Sequence, residues 1–217
     1  GAVEALEAHA SEEQKKKYLH QIISGNWSAT MNLTEPQAGS DVGAVKTKAE
    51  PQPDGTYKIY GTKIYITYGD HNMTENIIHL VLARTPDAPE GTKGISLFIV
   101  PKFFVNDDGS LGDRNDVKCI GLEDKLGIHA SPTCVMSFGE NDGATGWLIG
   151  AKNKGMAAMF TMMNNARLNV GIQGVGLAEQ ATQIAMSYAA DRVQGRAPDA
   201  QRGENTPVAI ASHPDVR

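Results

Sequence analysis

The sequence predicts an α+β protein with its helices and strands segregated along the chain. Three observations carry this. Short helical patterns fill the first 26 residues. Strand-like runs broken by turns extend from Trp27 to about Trp147. A proline-free helical stretch then runs from Lys154 to about Gln194.

Residues 2–10 read as a short helix end. Ser11-Glu12-Glu13-Gln14 is a capping-box pattern, and Tyr18, Leu19, Ile22 and Ile23 form one apolar face. Gly25 suits the position after a helix end, so a helix is expected over 12–24. Pro51-Gln52-Pro53-Asp54-Gly55 separates runs 44–50 and 56–60 and reads as a hairpin turn. Further strands are expected at 62–68, 76–84, 94–100, 116–120 and 133–138, with Asp107–Gly112 as a solvated loop. The spacing suggests a compact antiparallel sheet domain or barrel.

In the last stretch Met156, Met159, Phe160 and Met163 repeat at helical spacing. Gly174, Ala178, Ala181 and Ala185 follow as a stripe of small residues. One helix here would be roughly 60 Å long at 1.5 Å per residue, and it should pack in a helical bundle. Residues 195–210 read as a loop. Pro214 followed by Asp215 is a helix-start signal, which suggests a piece of a longer protein.

The chain has 217 residues, 41% of them hydrophobic, which suffices for a core. With 20 Lys+Arg against 25 Asp+Glu the net charge is −5, which argues against a nucleic-acid binder. No apolar run is long enough to span a membrane. The two cysteines, Cys119 and Cys134, make no disulfide framework or zinc site, so a reducing compartment is the default. No secretory signal pattern is visible, and the sequons at Asn26, Asn32 and Asn72 are read as chance matches.

Thr34-Glu35-Pro36-Gln37-Ala38-Gly39-Ser40-Asp41 follows a strand. Gly39 permits a tight turn or a close approach to a ligand, and Ser40 adds a hydroxyl and an amide able to hold a phosphate. On spacing alone, an ordinary Gly-Ser turn is the commoner reading. Thr67, at a strand end, can bond a cofactor ring nitrogen, or it is simply a strand-favouring residue. Arg167 can reach a phosphate from a helix, or is a surface charge. Gly171–Gly176 is no dinucleotide fingerprint, since no strand precedes it. His129 has no partner at ligand spacing and reads as a structural or surface residue, and His79 reads as a strand residue.

Together these segments resemble the acyl-CoA dehydrogenase family. Met31–Asp41 looks like that family's first signature, and Gly61–Thr67 is similar to its second. Lys125–Thr133 matches the loop before the last strands, and Gly155–Gly195 resembles the first long helix of the C-terminal domain. The wording of 106–112 and 127–133 resembles the branch containing 3-methylmercaptopropionyl-CoA dehydrogenases.

The resemblance implies three regions. Residues 1–26 would end an N-terminal helical domain, 27–150 would be the middle β domain, and 151–217 would open a C-terminal four-helix bundle. It implies FAD as cofactor and conversion of an acyl-CoA thioester to trans-2-enoyl-CoA. Met31, Leu33 and Thr34 would line the flavin ring, Tyr65 would flank it with Ile66 beside it, and Thr67 would lie near N5. Gly39 and Ser40 would meet the pyrophosphate or the CoA side, and Arg167 an FAD phosphate across a dimer interface. Asn164 would stand near the CoA adenine, where many members have Asp. Where some members place the general base, before the helix Arg, this chain has Ala166, so the base is expected beyond Arg217. The implied partners are acyl-CoA, an electron-transfer flavoprotein or other acceptor, and further copies of the chain. The implied place is the cytoplasm of a bacterium or the mitochondrial matrix. An acyl-CoA oxidase, or a non-catalytic family member acting as a binding module, are the alternatives.

Overall fold

A computed structural model describes residues 1–217. Its compact units are Gly1–Asn165 and Ala166–Arg217. The first unit opens with α1 (Ala2–His9) and α2 (Glu12–Gln14), where Ser11 and Gln14 make the expected reciprocal capping box. The helix continues through a π-helical turn (Lys15–Leu19) into α3 (His20–Ile23). Tyr18, on the π turn, is buried against Trp27 with ring centroids 6.4 Å apart. Gly25, at φ 79°, ends the segment as the sequence predicts.

The strands are β1 (Trp27–Asn32), β2 (Lys48–Pro51), β3 (Tyr57–Thr67), β4 (Asn76–Ala83), β5 (Ser96–Pro101), β6 (Phe103–Val105), β7 (Leu111–Arg114), β8 (Val117–Leu122), β9 (Thr133–Phe138) and β10 (Ala144–Ile149). Eight of them form one sheet in the order β1-β4-β5-β10-β3-β9-β8, with β2 on β3. This path is open, so the sheet is not the closed barrel offered as one expectation. It is mixed rather than purely antiparallel, because β1 pairs parallel to β4.

The runs expected at 56–60 and 62–68 are one strand. The first half of β3 lies between β2 and β10, and the second half pairs with β9. The 107–112 segment is not all loop: Leu111 and Gly112 belong to β7, which pairs with β6. Residues 44–47, expected as strand, lie outside β2; Ala44 ends a 3-10 turn. These pieces are too short for a period-two pattern to register.

β4 and β5 are buried along their whole length. Ile78, Leu80, Leu97 and Ile99 face a core shared with α1, Tyr18 and Trp27. Val81, Phe98 and Val100 face a second core with Ile59, Met136 and Phe138. Cover on both faces explains why these strands read as continuous apolar runs.

α4 (Gly155–Asp191) begins by burying Gly155, Ala158 and Met159 in the first unit. In the second unit its side chains are exposed, Leu168, Val175 and Leu177 among them. The 195–210 segment, expected as loop, contains most of a hairpin of β11 (Val193–Arg196) and β12 (Pro207–Ala209). Pro214 opens a turn, not a helix. No helix is long and apolar enough to cross a membrane.

Candidate functional site

The site is set by an irregularity in β3. A regular strand alternates faces, so an inward Lys63 would put Tyr65 and Thr67 inward too. The ladder to β9 instead slips between Lys63 and Ile66. At the slip the Ile64 N–H leaves β9 and donates to the Thr34 carbonyl at 2.9 Å. Tyr65 takes φ 61°, a strained value for a non-glycine residue. This bulge reverses the phase: Lys63 and Ile66 are buried, while Tyr65 and Thr67 are exposed.

Tyr65 and Thr67 thereby enter a groove of about 520 Å³ whose other wall is β1, from Ser28 to Met31. β1 pairs with β4 alone, so its second edge has main-chain groups free to meet a ligand. Met31, Tyr65 and Thr67 thus line one groove. Ile66 does not, since its side chain is buried in the second core and only its main chain can serve the groove. Leu33 and Thr34 sit behind, their carbonyls bound to Lys63 Nζ (3.0 Å) and to the Ile64 N–H.

Ser40 lines a separate cavity of about 500 Å³ with Asp41, Gly43, Gly91, Thr92 and Phe160. Gly39 does not need glycine's freedom for a tight turn. It has no left-handed φ, and a Cβ there would meet nothing within 4 Å. Asn164 lies one helical turn beyond Phe160 on α4 and is exposed. Arg167 is exposed on α4 in the second unit. His129 is exposed, and His79 is buried in β4.

Glu35, within the first motif, is buried. Its carboxylate accepts from Lys63 Nζ (2.8 Å), the Lys46 N–H (2.8 Å), the Thr47 N–H (3.0 Å) and Gln37 Nε2 (2.6 Å). Burial alone would raise its pKa, but the Lys63 charge and the hydrogen bonds from Lys63, the Thr47 hydroxyl and the Lys46 N–H outweigh it and hold it at about 2. Burial draws the Lys63 ammonium down to about 8 against the pull of Glu35, so both partners are charged at neutral pH. Glu35 is therefore a structural anion and no proton acceptor.

Sequence reasoning missed the polar end of the groove: Ser28, His71 and Thr74. One signal was available. Ser28, Thr30 and Asn32 alternate along β1, which marks a polar face. Thr30 Oγ1 lies 2.7 Å from His79 Nδ1 and accepts from Asn32 Nδ2 at 2.8 Å. Burial pushes His79 down to about 3, so it is neutral.

With this geometry the comparisons with known proteins agree. The family model described as the acyl-CoA dehydrogenase middle domain matches residues 30–140, more than half of the chain. The chain belongs to the acyl-CoA dehydrogenase family. Over all of its length it is 55% identical to 3-methylmercaptopropionyl-CoA dehydrogenase of Ruegeria pomeroyi, and covers 36% of that protein. It is 50% identical to a butyryl-CoA dehydrogenase of Syntrophomonas wolfei, again covering 36%. Among solved structures, an acyl-CoA dehydrogenase complexed with FAD from Bacillus anthracis matches 95% of this chain and 30% of its own. Its TM-score is 0.70 and its identity 30%. The acyl-CoA dehydrogenase resemblance drawn from the motifs is borne out, and the chain spans about a third of its curated relatives.

Proposed function

We propose that this chain is the flavin- and substrate-binding part of an FAD-dependent acyl-CoA dehydrogenase acting on a short or sulfur-containing acyl-CoA such as 3-methylmercaptopropionyl-CoA. The observation that carries this reading is the bulge in β3, which turns Tyr65 and Thr67 into one groove with the open edge of β1. It is joined by the 55% identity with the Ruegeria enzyme. Regions 1–26, 27–150 and 151–217 would be the end of the N-terminal domain, the middle domain and the start of the C-terminal one.

The groove's chemistry suits a flavin. An isoalloxazine ring has two apolar faces and a polar edge. Met31 and Tyr65 supply apolar flanks, while β1's free main-chain groups and the Thr67 hydroxyl supply donors and acceptors for the edge. FAD, when bound, would accept a hydride from the acyl β-carbon. Thr67 would hold its hydroxyl toward N5. Gly39 would let the pyrophosphate approach the main chain, Ser40 would bond it or the CoA, and Arg167 would meet an FAD phosphate. Asn164 would contact the CoA adenine. Ala166 offers no carboxylate, so α-proton removal would fall to a carboxylate outside residues 1–217. Electrons would pass to an electron-transfer flavoprotein or other acceptor, and the enzyme would work as an oligomer in the cytoplasm.

The test is anaerobic mixing of the full-length protein with a series of acyl-CoAs while the flavin absorbance is followed. Bleaching with kcat/KM highest for short or sulfur-containing chains is expected. A preference for palmitoyl-CoA would overturn the substrate class. Colourless protein that takes up no FAD would overturn the cofactor. Rapid oxygen consumption would mark an oxidase.

A further inference from the structure

The segment between β3 and β4 is held from many sides. The Tyr68 N–H donates to the Pro132 carbonyl at 2.9 Å, and the Glu75 N–H to Asn26 at 3.1 Å. Asp70 takes Lys102 at 2.6 Å and Arg114 at 2.9 Å. Gly69 lies so close to β9 that a Cβ would meet Met136 Sδ at 2.7 Å. Tyr68 is held at φ 52°. Such over-determination lets a strained residue persist, and it clusters at ligand sites.

At the centre is His71. Its Nδ1 accepts from the Met73 N–H at 3.2 Å, so the neutral ring carries its proton on Nε2. Nε2 lies 3.1 Å from Ser28 Oγ on β1. Ser28 then donates onward to Thr74 Oγ1 (3.2 Å), which donates to the Asn76 carbonyl (2.9 Å). Every proton in this chain has one direction. It ties the loop that carries Tyr68 and Met73 to the strand that carries Met31. All of these residues except Asn76 line the groove.

We propose that His71 is a positioning residue. As a neutral Nε2–H imidazole it fixes the Tyr68–Thr74 loop against β1, and so sets the width of the groove in which a flavin ring lies. This rests on the flavin reading above. The groups facing the ring are Asp70 and Tyr68 of its own segment, Lys102, Arg114 of β7 through Asp70, and His79 of β4. Burial, and then the Lys102 charge, hold His71 below the ordinary imidazole range against the pull of Asp70. Protonating Nδ1 would break the Met73 bond and loosen the loop around Met73.

The experiment uses full-length protein with Ser28→Ala, His71→Asn and the double variant. An Asn at 71 keeps a turn acceptor for the Met73 N–H and gives up the reach to Ser28. Each single variant is expected to weaken FAD binding about three- to tenfold, the size of one net hydrogen bond, and the double to be no worse than either. Wild-type FAD affinity should fall as the pH drops below the ordinary imidazole value, with a flatter profile in His71→Asn. ¹⁵N NMR of the wild-type protein should show the Nε2–H tautomer. An Nδ1–H ring would overturn the proposal. So would unchanged affinity and pH profile in variants of a wild type that does bind FAD and is reduced by acyl-CoA. A wild type that binds no FAD would overturn the functional reading, and this proposal with it.

Discussion

Lys63 Nζ and Glu35 Oε1 lie 2.8 Å apart in the interior, with both side chains almost wholly buried. The pair joins the first motif to the strand whose bulge builds the groove. Lys63 also donates to the Leu33 carbonyl at 3.0 Å, so one ammonium ties β3 to the segment that follows β1.

Removing either partner leaves an uncompensated buried charge. Lys63→Met should therefore destabilise the protein by about 3–5 kcal/mol, read as a lower urea midpoint at constant slope. Lys63→Met with Glu35→Gln should recover part of the loss, because no bare charge is left buried and the Gln side-chain oxygen can still accept from the Lys46 and Thr47 N–H groups. A double variant as unstable as the single would show that packing, not charge, dominates there.

The pair also gives a pH dependence. The Glu35 pKa is about 2 in the fold against an ordinary 4.5, so the unfolded chain binds the proton more readily. The stability this group contributes is fully present above about pH 4.5 and is lost as the pH falls toward 2. Thermal unfolding followed from pH 6 to pH 2.5 should show a steeper decline in wild type than in Glu35→Gln.

Asn115 makes four side-chain hydrogen bonds in a buried position. It donates to Pro101 (3.0 Å) and Thr145 (2.8 Å) and accepts from the Asp116 (2.9 Å) and Thr145 (2.9 Å) N–H groups. These stitch the end of β5 and β10 to the segment before β8. Asn115→Ala strands several main-chain groups, each costing roughly 1–3 kcal/mol when buried. A loss of about 3 kcal/mol or more is expected by chemical denaturation, and a loss below about 1 kcal/mol would show that water replaces the amide.

Thr67→Val tests the groove without touching the core, since Thr67 is exposed. In the full-length protein the fold should be kept. The flavin potential and its rate of reduction by acyl-CoA should both change, as expected on losing a hydrogen bond near N5. Spectroelectrochemistry and stopped-flow absorbance read these two quantities. If both match wild type, Thr67 makes no such bond.

What the sequence determined by itself was local. The capping box at Ser11–Gln14, the turn at Pro51–Gly55, the start of α4 and the order of helix, strand and helix follow from interactions a few residues apart. Such signals survive in one dimension. The motif segments placed Met31, Tyr65 and Thr67, and the structure brings these three into one groove. The tertiary structure decided the rest. Period-two alternation puts Lys63, Tyr65 and Thr67 on one face; the bulge, at which the Ile64 N–H turns to the Thr34 carbonyl, breaks that phase and leaves Tyr65 and Thr67 exposed. The burial of Lys63 depends on a carboxylate 28 residues away, and the setting of His71 on a serine 43 residues away. The parallel pairing of β1 with β4, which leaves β1 an open edge for the groove, likewise joins segments far apart in the chain. Each depends on which distant segments the folded core holds side by side, and no local propensity encodes that.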